Sequence, residues 1–459
     1  MTLLVSVPAH RATPLRWVAT IVFERMLGLA IELRDEAGAD QISITSGQGK
    51  LTMPSLFPDL SSEQAIWGEQ IPPLPLDEWQ IADAPSGLGK TANPLPILYG
   101  SPTLAQRHDG VACGVDILGT IFFFMSRFEE VALSDRDRHD RFPATASLAH
   151  RAGFLQRAIV DEYVDALWAL LSQIWPGLER RQRQGRIRVS CDVDYPFHPS
   201  ANDLPALARA VVSDLRNGLQ VGQAIGRGRN FLRHRRGDFT LDPNYTFDWY
   251  MDVCERGGYQ AEFYFIAGHS AGAIDGNYEV TDQPILDLIR AISQRGHTIG
   301  MHGSYNTYRD PKQIMVERAR LQAACSSLHA DTPINDNRQH FLRWAAQETA
   351  DHLDAAGFDS DATGGFADRP GFRFGTSHPF AMWSWKQRAP LRIEQCPLVV
   401  MDASVFSPKY LGLHAQQGTD LILELRRTAL ERGGDFNILW HNSELVTDAA
   451  RDVFEAIIG

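Results

Sequence analysis

The stretch "RIRVSCDVDYPF", residues 186–197, decides how the chain is read. An apolar run with the look of a buried strand ends in two carboxylates one residue apart, Asp192 and Asp194. Successive strand side chains point to opposite faces, so both acids project to the same side. Two like charges held that close need a cation, a shared proton or solvent around them.

The pattern that follows gives this strand a setting. From Arg186 onward the strand candidates are "IRVSCDV", "AEFYFIA", "HTIGMH", "HFLRW", "GFDSDAT", "LVVMDAS" and "FNILWHN". Helix-like segments fall between several of them: "QPILDLIRAISQRG", "PKQIMVERARLQAACSSL", "WAAQETADHLDAAG" and "TDLILELRRTALERGG". Such alternation implies parallel strands with crossover helices, hence an α/β sheet or barrel. In barrels of this kind the chemistry sits at the carboxyl ends of the strands. Here nearly every candidate strand ends in a polar or ionisable group.

Before Arg186 the pattern is different. Residues 1–180 mix short strand-like runs, Pro-rich connections ("EQIPPLPLDEW", "TANPLPILYG") and the stretch "GFLQRAIVDEYVDALWALLSQIW". In that stretch Val160, Tyr163, Val164, Leu167, Leu170 and Leu171 recur at helical spacing. Nothing in this part resembles a catalytic constellation. "GLERRQRQGRIR" then shifts to charge and polarity, as suits an exposed linker. The expectation is two domains, a smaller mixed α/β domain over 1–180 and a second over 186–459. A chain of 459 residues is too long for one ordinary core.

Composition removes several functional classes. Hydrophobic content of 44% and charged content of 22% describe a globular chain. A net charge of -12 and a pI near 5.7 argue against general nucleic-acid binding. The five cysteines are scattered, with no C-x-x-C pair, which disfavours a disulfide framework and a cysteine-rich zinc site. Pro, Arg and Glu interrupt the N-terminal apolar pieces, giving a poor secretory signal, and "DILGTIFFFMSR" is too short to span a bilayer. A cytoplasmic protein without a transmembrane segment is expected. The one strongly basic run, "GRGRNFLRHRRGD", is either a solvated insertion or a docking patch for an anionic glycan, a nucleotide-linked sugar or a membrane surface, through residues 227–236. No solenoid repeat, low-complexity tract or phosphate-binding glycine loop is present.

Three strand ends carry the chemistry. The first gives Asp192 and Asp194; "GHTIGMHGSYNTY" gives His302 and, four positions on, Asn306; "FNILWHNSEL" delivers His441. A carboxylate, an imidazole and a further oxygen or nitrogen ligand make a site for a divalent metal that activates water. A second carboxylate nearby can take the water proton, and a histidine can hand one to a leaving group. Such parts hydrolyse an amide or an ester. Each alone is weak: a D-x-D at a strand end is often structural, and a lone His is more often a satisfied core or surface residue.

Taken together, "SCDVDYPF", "GHTIGMHGSYN", "RQHFLRW", "GFDSDATGGFADRPGFR" and "ILWHN" resemble, in order, the five motifs of the polysaccharide deacetylase (NodB-homology, carbohydrate esterase) family. The resemblance covers residues 186–459, and the N-terminal part looks like the accessory region of bacterial relatives with no assigned substrate. It implies a distorted (β/α) barrel and a metal-dependent hydrolase, zinc first among divalent metals, that removes an N-acetyl group from an amino sugar or glycan in bacterial surface polysaccharide biosynthesis or modification.

Carried over by position, Asp192 looks like the catalytic base, Asp194 and His302 like metal ligands, and His441 like the acid that protonates the departing amine. The family usually has a His where this chain has Asn306, a neutral and weaker ligand for zinc. Arg338 resembles the arginine that orients the base, with Arg343 a rival. Asp361 or Asp359 is a candidate to tune His441, or to cap the next loop. In "GGFADRPGFRFG", Asp368, Arg369 and Phe372 are candidate substrate contacts, as are Asp361 and the sugar-stacking Trp344. The same loop reads equally as a plain rigid turn, and Trp344 as core. Two rival functions stay open: a catalytically inactive glycan-binding scaffold, suggested by Asn306, and hydrolysis of a non-sugar amide or an O-acetyl ester.

Overall fold

A computed structural model describes residues 1–60, 70–80, 94–216, 221–328 and 333–459. Glu69 and residues 91–93 of the Pro-rich connections lie outside the described residues. The chain is mixed α/β, with parallel and antiparallel ladders.

The strands in chain order are β1 (Thr2–Pro8), β2 (Ala30–Glu36), β3 (Gln41–Ser46), β4 (Gly49–Pro54), β5 (Asp77–Trp79), β6 (Leu95–Ile97), β7 (Gly100–Arg107), β8 (Gly110–Val115), β9 (Ile187–Val193), β10 (Glu262–Ile266), β11 (Thr298–Gly303), β12 (Asp336–Gln339), β13 (Ser360–Asp361), β14 (Phe380–Ser384), β15 (Ala389–Gln395), β16 (Val400–Met401) and β17 (Phe436–Leu439). A six-stranded sheet runs β2-β1-β3-β4-β8-β7, β5 pairs with β6, and a nine-stranded sheet runs β14-β15-β13-β12-β11-β10-β9-β17-β16.

Within the larger sheet every pairing is parallel except β14 with β15. Parallel strands covered on both faces are expected to be apolar throughout, and β10 and β17 are buried at every position. Among the described residues the outer strands β14 and β16 do not pair, so the ladder has two ends and does not close as the expected barrel would. The N-terminal region covers β14. Trp17, from the helix Ala12–Ala19, donates its indole N–H to the Ala381 carbonyl at 2.9 Å and lies 5.3 Å from the Trp383 ring.

The two sheets share one hydrophobic core. The helix Ile117–Met125, buried at every residue, sends Phe122 against Trp383 and Trp385. Close by, Arg127 bridges Glu129 and Glu130, and Glu130 accepts both Arg373 contacts, at 2.9 and 2.7 Å. Buried charges persist only when paired in this way. The segment after the helix Ile159–Ile174 carries little regular structure, yet Arg181 N–H reaches the Leu27 carbonyl at 2.8 Å and Arg183 pairs with Asp435 at 2.7 Å. It is strapped to both sheets.

Two sequence expectations shift. "HFLRW" is not a strand: the strand is Asp336–Gln339, and His340–Leu342 form a 3-10 turn with φ of 61° at Phe341 and 54° at Leu342. "LVVMDAS" gives only the two-residue β16 before the helix Asp402–Phe406 begins. Among the described residues no helix is long and apolar enough to cross a membrane.

Candidate metal centre and its flanking acid and base

The site forms at the carboxyl ends of β9, β11, β12 and β17, within the row β12-β11-β10-β9-β17. Strand β9 places Asp192 in its last turn of pleat and Asp194 just beyond, on the same side. His302 sits on β11 opposite Arg338 of β12, and His340 lies two residues past Arg338, so alternation turns it the same way.

Asp194, His302 and His340 bring ligand atoms within 4.8 Å of one another. His302 Nε2 lies 3.2 Å from Asp194 Oδ1, and His340 Nε2 lies 3.6 Å from Asp194 Oδ2. Both rings are fixed from behind. His302 Nδ1 donates to the Arg338 carbonyl at 2.9 Å, since a carbonyl can only accept. His340 Nδ1 faces Asp275 Oδ1 at 3.1 Å. A buried carboxylate behind a ligating imidazole fixes its tautomer and raises its basicity. Asp275 is itself held by N–H groups of Tyr305 and Ala271, at 2.6 and 2.7 Å.

This donor set fits a divalent cation. Asp194 Oδ1 is buried and accepts no hydrogen bond, although His302 Nε2 faces it. With its proton on Nδ1, His302 turns a lone pair toward that oxygen. Two electron-rich atoms pointed at one another are what a cation between them relieves. Burial opposes the Asp194 carboxylate, but His340 outweighs it and holds the group well below the usual carboxylate range. Burial likewise opposes the imidazolium of His340, and Asp194 with Asp275 outweighs it, raising His340 to about 9.

Two further pairs flank the cluster. Asp192, buried, accepts from Arg338 Nη1 at 3.0 Å. Arg338 is fully buried and held by the Ala362 carbonyl, the Ser190 hydroxyl and the face of Tyr264. On the other side His441 Nδ1 donates to Asp402 at 2.9 Å, and His441 N–H donates to the same carboxylate at 2.7 Å. Burial works against the charged ring, yet Asp402 prevails and lifts His441 to about 10. His441 Nε2 points inward, 3.8 Å from Asp194.

Not every expected residue joins this group. Asn306 is exposed and its amide is spent elsewhere: Nδ2 donates to the Ser270 carbonyl at 3.0 Å, and Oδ1 accepts from Arg343 at 3.1 Å. The third candidate donor in the cluster is His340. Arg343 is no rival to Arg338, because it stacks between Tyr305 and Tyr308 and donates to the His139 carbonyl. Asp402, not Asp361 or Asp359, partners His441. Asp361 is fully buried and accepts from Asn337 at 2.8 Å, with burial raising its pKa. Trp344 is buried beneath Arg373, and Phe372 is buried too. Asp368 accepts from Ala144 N–H at 3.0 Å, and Arg369 donates to the Asp368 carbonyl at 2.6 Å, so both are tied within the scaffold.

The N-terminal region reaches the site's edge. Arg141 donates to the Phe341 carbonyl at 2.8 Å, next to His340, and the His139 ring meets the Tyr305 hydroxyl at 2.9 Å. A cavity of about 580 Å³ opens beside Asp402, lined by Arg138, Phe341, Tyr410 and Trp440 among others.

Residues 3–176 match a family of unknown function (DUF7033). No curated protein matches the chain. Among solved structures the chain is similar to a putative polysaccharide deacetylase from Mycobacterium smegmatis, at 16% identity over 61% of this chain and 84% of that one, with a TM-score of 0.38. It is also similar to Puue allantoinase, at 13% identity over 62% and 85% with a TM-score of 0.37. A probable polysaccharide deacetylase from Pseudomonas aeruginosa PAO1 aligns at 15% identity over 62% and 85%, also with a TM-score of 0.37.

Proposed function

We propose that the chain is a metal-dependent hydrolase that removes an N-acetyl group from an amino sugar. The observation that carries this reading is one strand-end cluster in which Asp194, His302 and His340 converge, with Asp192–Arg338 on one side and His441–Asp402 on the other. A divalent ion held by those three side chains would acidify water and polarise a carbonyl.

The rest is done by the chain's own groups. Arg338 orients Asp192, so that its carboxylate accepts a proton from the attacking water. His441, charged and held by Asp402 at Nδ1, gives the Nε2 proton to the departing amine. The 580 Å³ cavity next to Asp402 offers room for the sugar beyond the reacting amide. The proposed layout is a hydrolase unit over 186–459, with residues 1–180 supporting it at the rim through Arg141 and His139. The scaffold reading rested on Asn306, and its ground is weaker when His340 offers a third donor.

The test is acetate release from N-acetylated amino-sugar oligomers by protein loaded with zinc, cobalt, manganese or nickel. Release by the metal-loaded chain and none by the chelated chain supports the reading. Release confined to O-acetyl esters or non-sugar amides would replace the substrate while keeping the machinery. No release from any acyl substrate by a metal-loaded chain would favour the glycan-binding scaffold.

A further inference from the structure

After Asp194 the chain leaves the sheet, forms the short helix Pro199–Asn202 and two longer ones, Leu204–Arg216 and Val221–His234, and returns through the helix Phe247–Arg256 to β10. In a protein with a net charge of -12, residues 204–236 hold seven arginines and a single acid, Asp214. That acid is buried and neutralised by Arg227 at 2.7 Å.

The exposed faces of both helices are not purely polar. On the first, Leu204, Ala208, Val212 and Leu215 recur at helical spacing and lie on one exposed side, with Arg209 and Arg216 beside them. On the second, Ile225 and Leu232 lie one above the other, flanked by Arg229 and Arg233, with Arg236 in the turn that follows. The exposures are large: 57% for Leu204, 46% for Val212, 58% for Ile225 and 61% for Leu232. Among the described residues Arg216, Arg229 and Arg236 make no ion pair. These side chains are not needed to hold the hairpin, which packs through Phe231 and through Asp242, acceptor of Asn230 Nδ2 at 3.2 Å and of His198 N–H at 3.0 Å.

An apolar stripe bordered by arginines is the pattern of a helix that lies in the interface of an anionic bilayer, its apolar side chains in the acyl boundary and its cations among the headgroups. Charge complementarity selects an anionic surface, and the apolar stripe selects a lipid one over a merely acidic polymer. We infer that this hairpin docks the protein on an anionic membrane surface. Its root adjoins the metal centre, because Asn244 Nδ2 donates to the Tyr195 carbonyl at 3.2 Å, one residue past Asp194. This inference stands whether or not the hydrolase reading does.

The experiment is co-sedimentation of the full chain with vesicles of phosphatidylcholine alone, or of phosphatidylcholine and phosphatidylglycerol at about three to one, at low and high ionic strength. Two triple variants accompany the wild type: L215Q/I225Q/L232Q and R216Q/R229Q/R236Q, all at exposed positions, with thermal unfolding as the check on folding. The expected result is binding to the anionic vesicles only, weakened by salt, with the partition coefficient reduced at least about tenfold in each variant. Absence of wild-type binding to anionic vesicles at low ionic strength would overturn the inference. So would loss in the arginine variant alone with full binding by the apolar one, which would mark a general polyanion patch.

Discussion

Asp192 and Asp194 stand one residue apart on the same side of a strand end and differ in their partners. Asp194 faces Nε2 of His302, His340 and His441 at 3.2, 3.6 and 3.8 Å, whereas Asp192 accepts from a buried guanidinium at 3.0 Å and has one imidazole nearby, His302 Nε2 at 3.5 Å. Replacing Asp192 with Asn should lower acetate release about 10³-fold while metal content stays unchanged, because the amide keeps the shape and loses only the proton acceptor. Loss of metal together with activity would place Asp192 among the ligands instead. On the proposed mechanism Asp402 acts through His441, which it holds by two hydrogen bonds. In Asp402→Asn, kcat should fall about 10²-fold with KM little changed, since a mispositioned acid affects the step and not the binding; an altered KM at unchanged kcat would remove Asp402 from this role.

At the scale of the element, legibility in the sequence followed the regularity of the backbone. Strand β9 is Ile187–Val193, the run read from its apolar pattern, and the six spaced apolar residues of the helix Ile159–Ile174 are all buried. His340 escaped because "HFLRW" has strand composition while its backbone turns, with Phe341 and Leu342 both at positive φ. Two successive non-glycine residues there are a strained feature that composition cannot announce. Four residues beyond His302 stands Asn306, whereas the candidate donor His340 stands just past the end of the neighbouring strand, two residues after Arg338. Asp402 was hidden similarly, at the end of the two-residue β16 beside β17. The hairpin β14–β15 is not legible in the local sequence, since Trp383 and Trp385 face a core supplied by the distant Trp17 and Phe122.

The helix Ile159–Ile174 also carries a pH-dependent cost. Asp161 is buried in its first turn; Oδ1 accepts from Thr376 at 2.6 Å, Oδ2 has no partner, and burial raises the pKa to about 6. An acid whose folded pKa lies above its unfolded value favours folding when protonated, so the chain loses stability as pH rises from about 4 through 6. Asp161→Asn should therefore raise stability by roughly 1–3 kcal/mol at pH 8 and by little at pH 4. Denaturant melts at the two pH values check this, and an equal effect at both would refute it.

For the whole molecule, the N-terminal region is built into the second sheet's surroundings and supports its site. Trp17 covers β14, Glu130 neutralises Arg373, and Arg141 holds the turn that presents His340. Arg141→Ala should weaken metal affinity about tenfold through loss of that outer support, although Arg141 touches no ligand atom. Titration with a chelator-buffered metal measures it; unchanged affinity would mean that the turn is rigid without the N-terminal region.

The central claim is that Asp194, His302 and His340 hold a metal and Asn306 does not. Elemental analysis of the wild type, D194A, H340A and N306A after incubation with zinc and removal of excess tests it most directly. Near-stoichiometric metal in the wild type and N306A, with loss in D194A and H340A, is the expected result. Metal that survives in H340A but leaves with N306A, or a wild type that binds none, would contradict it.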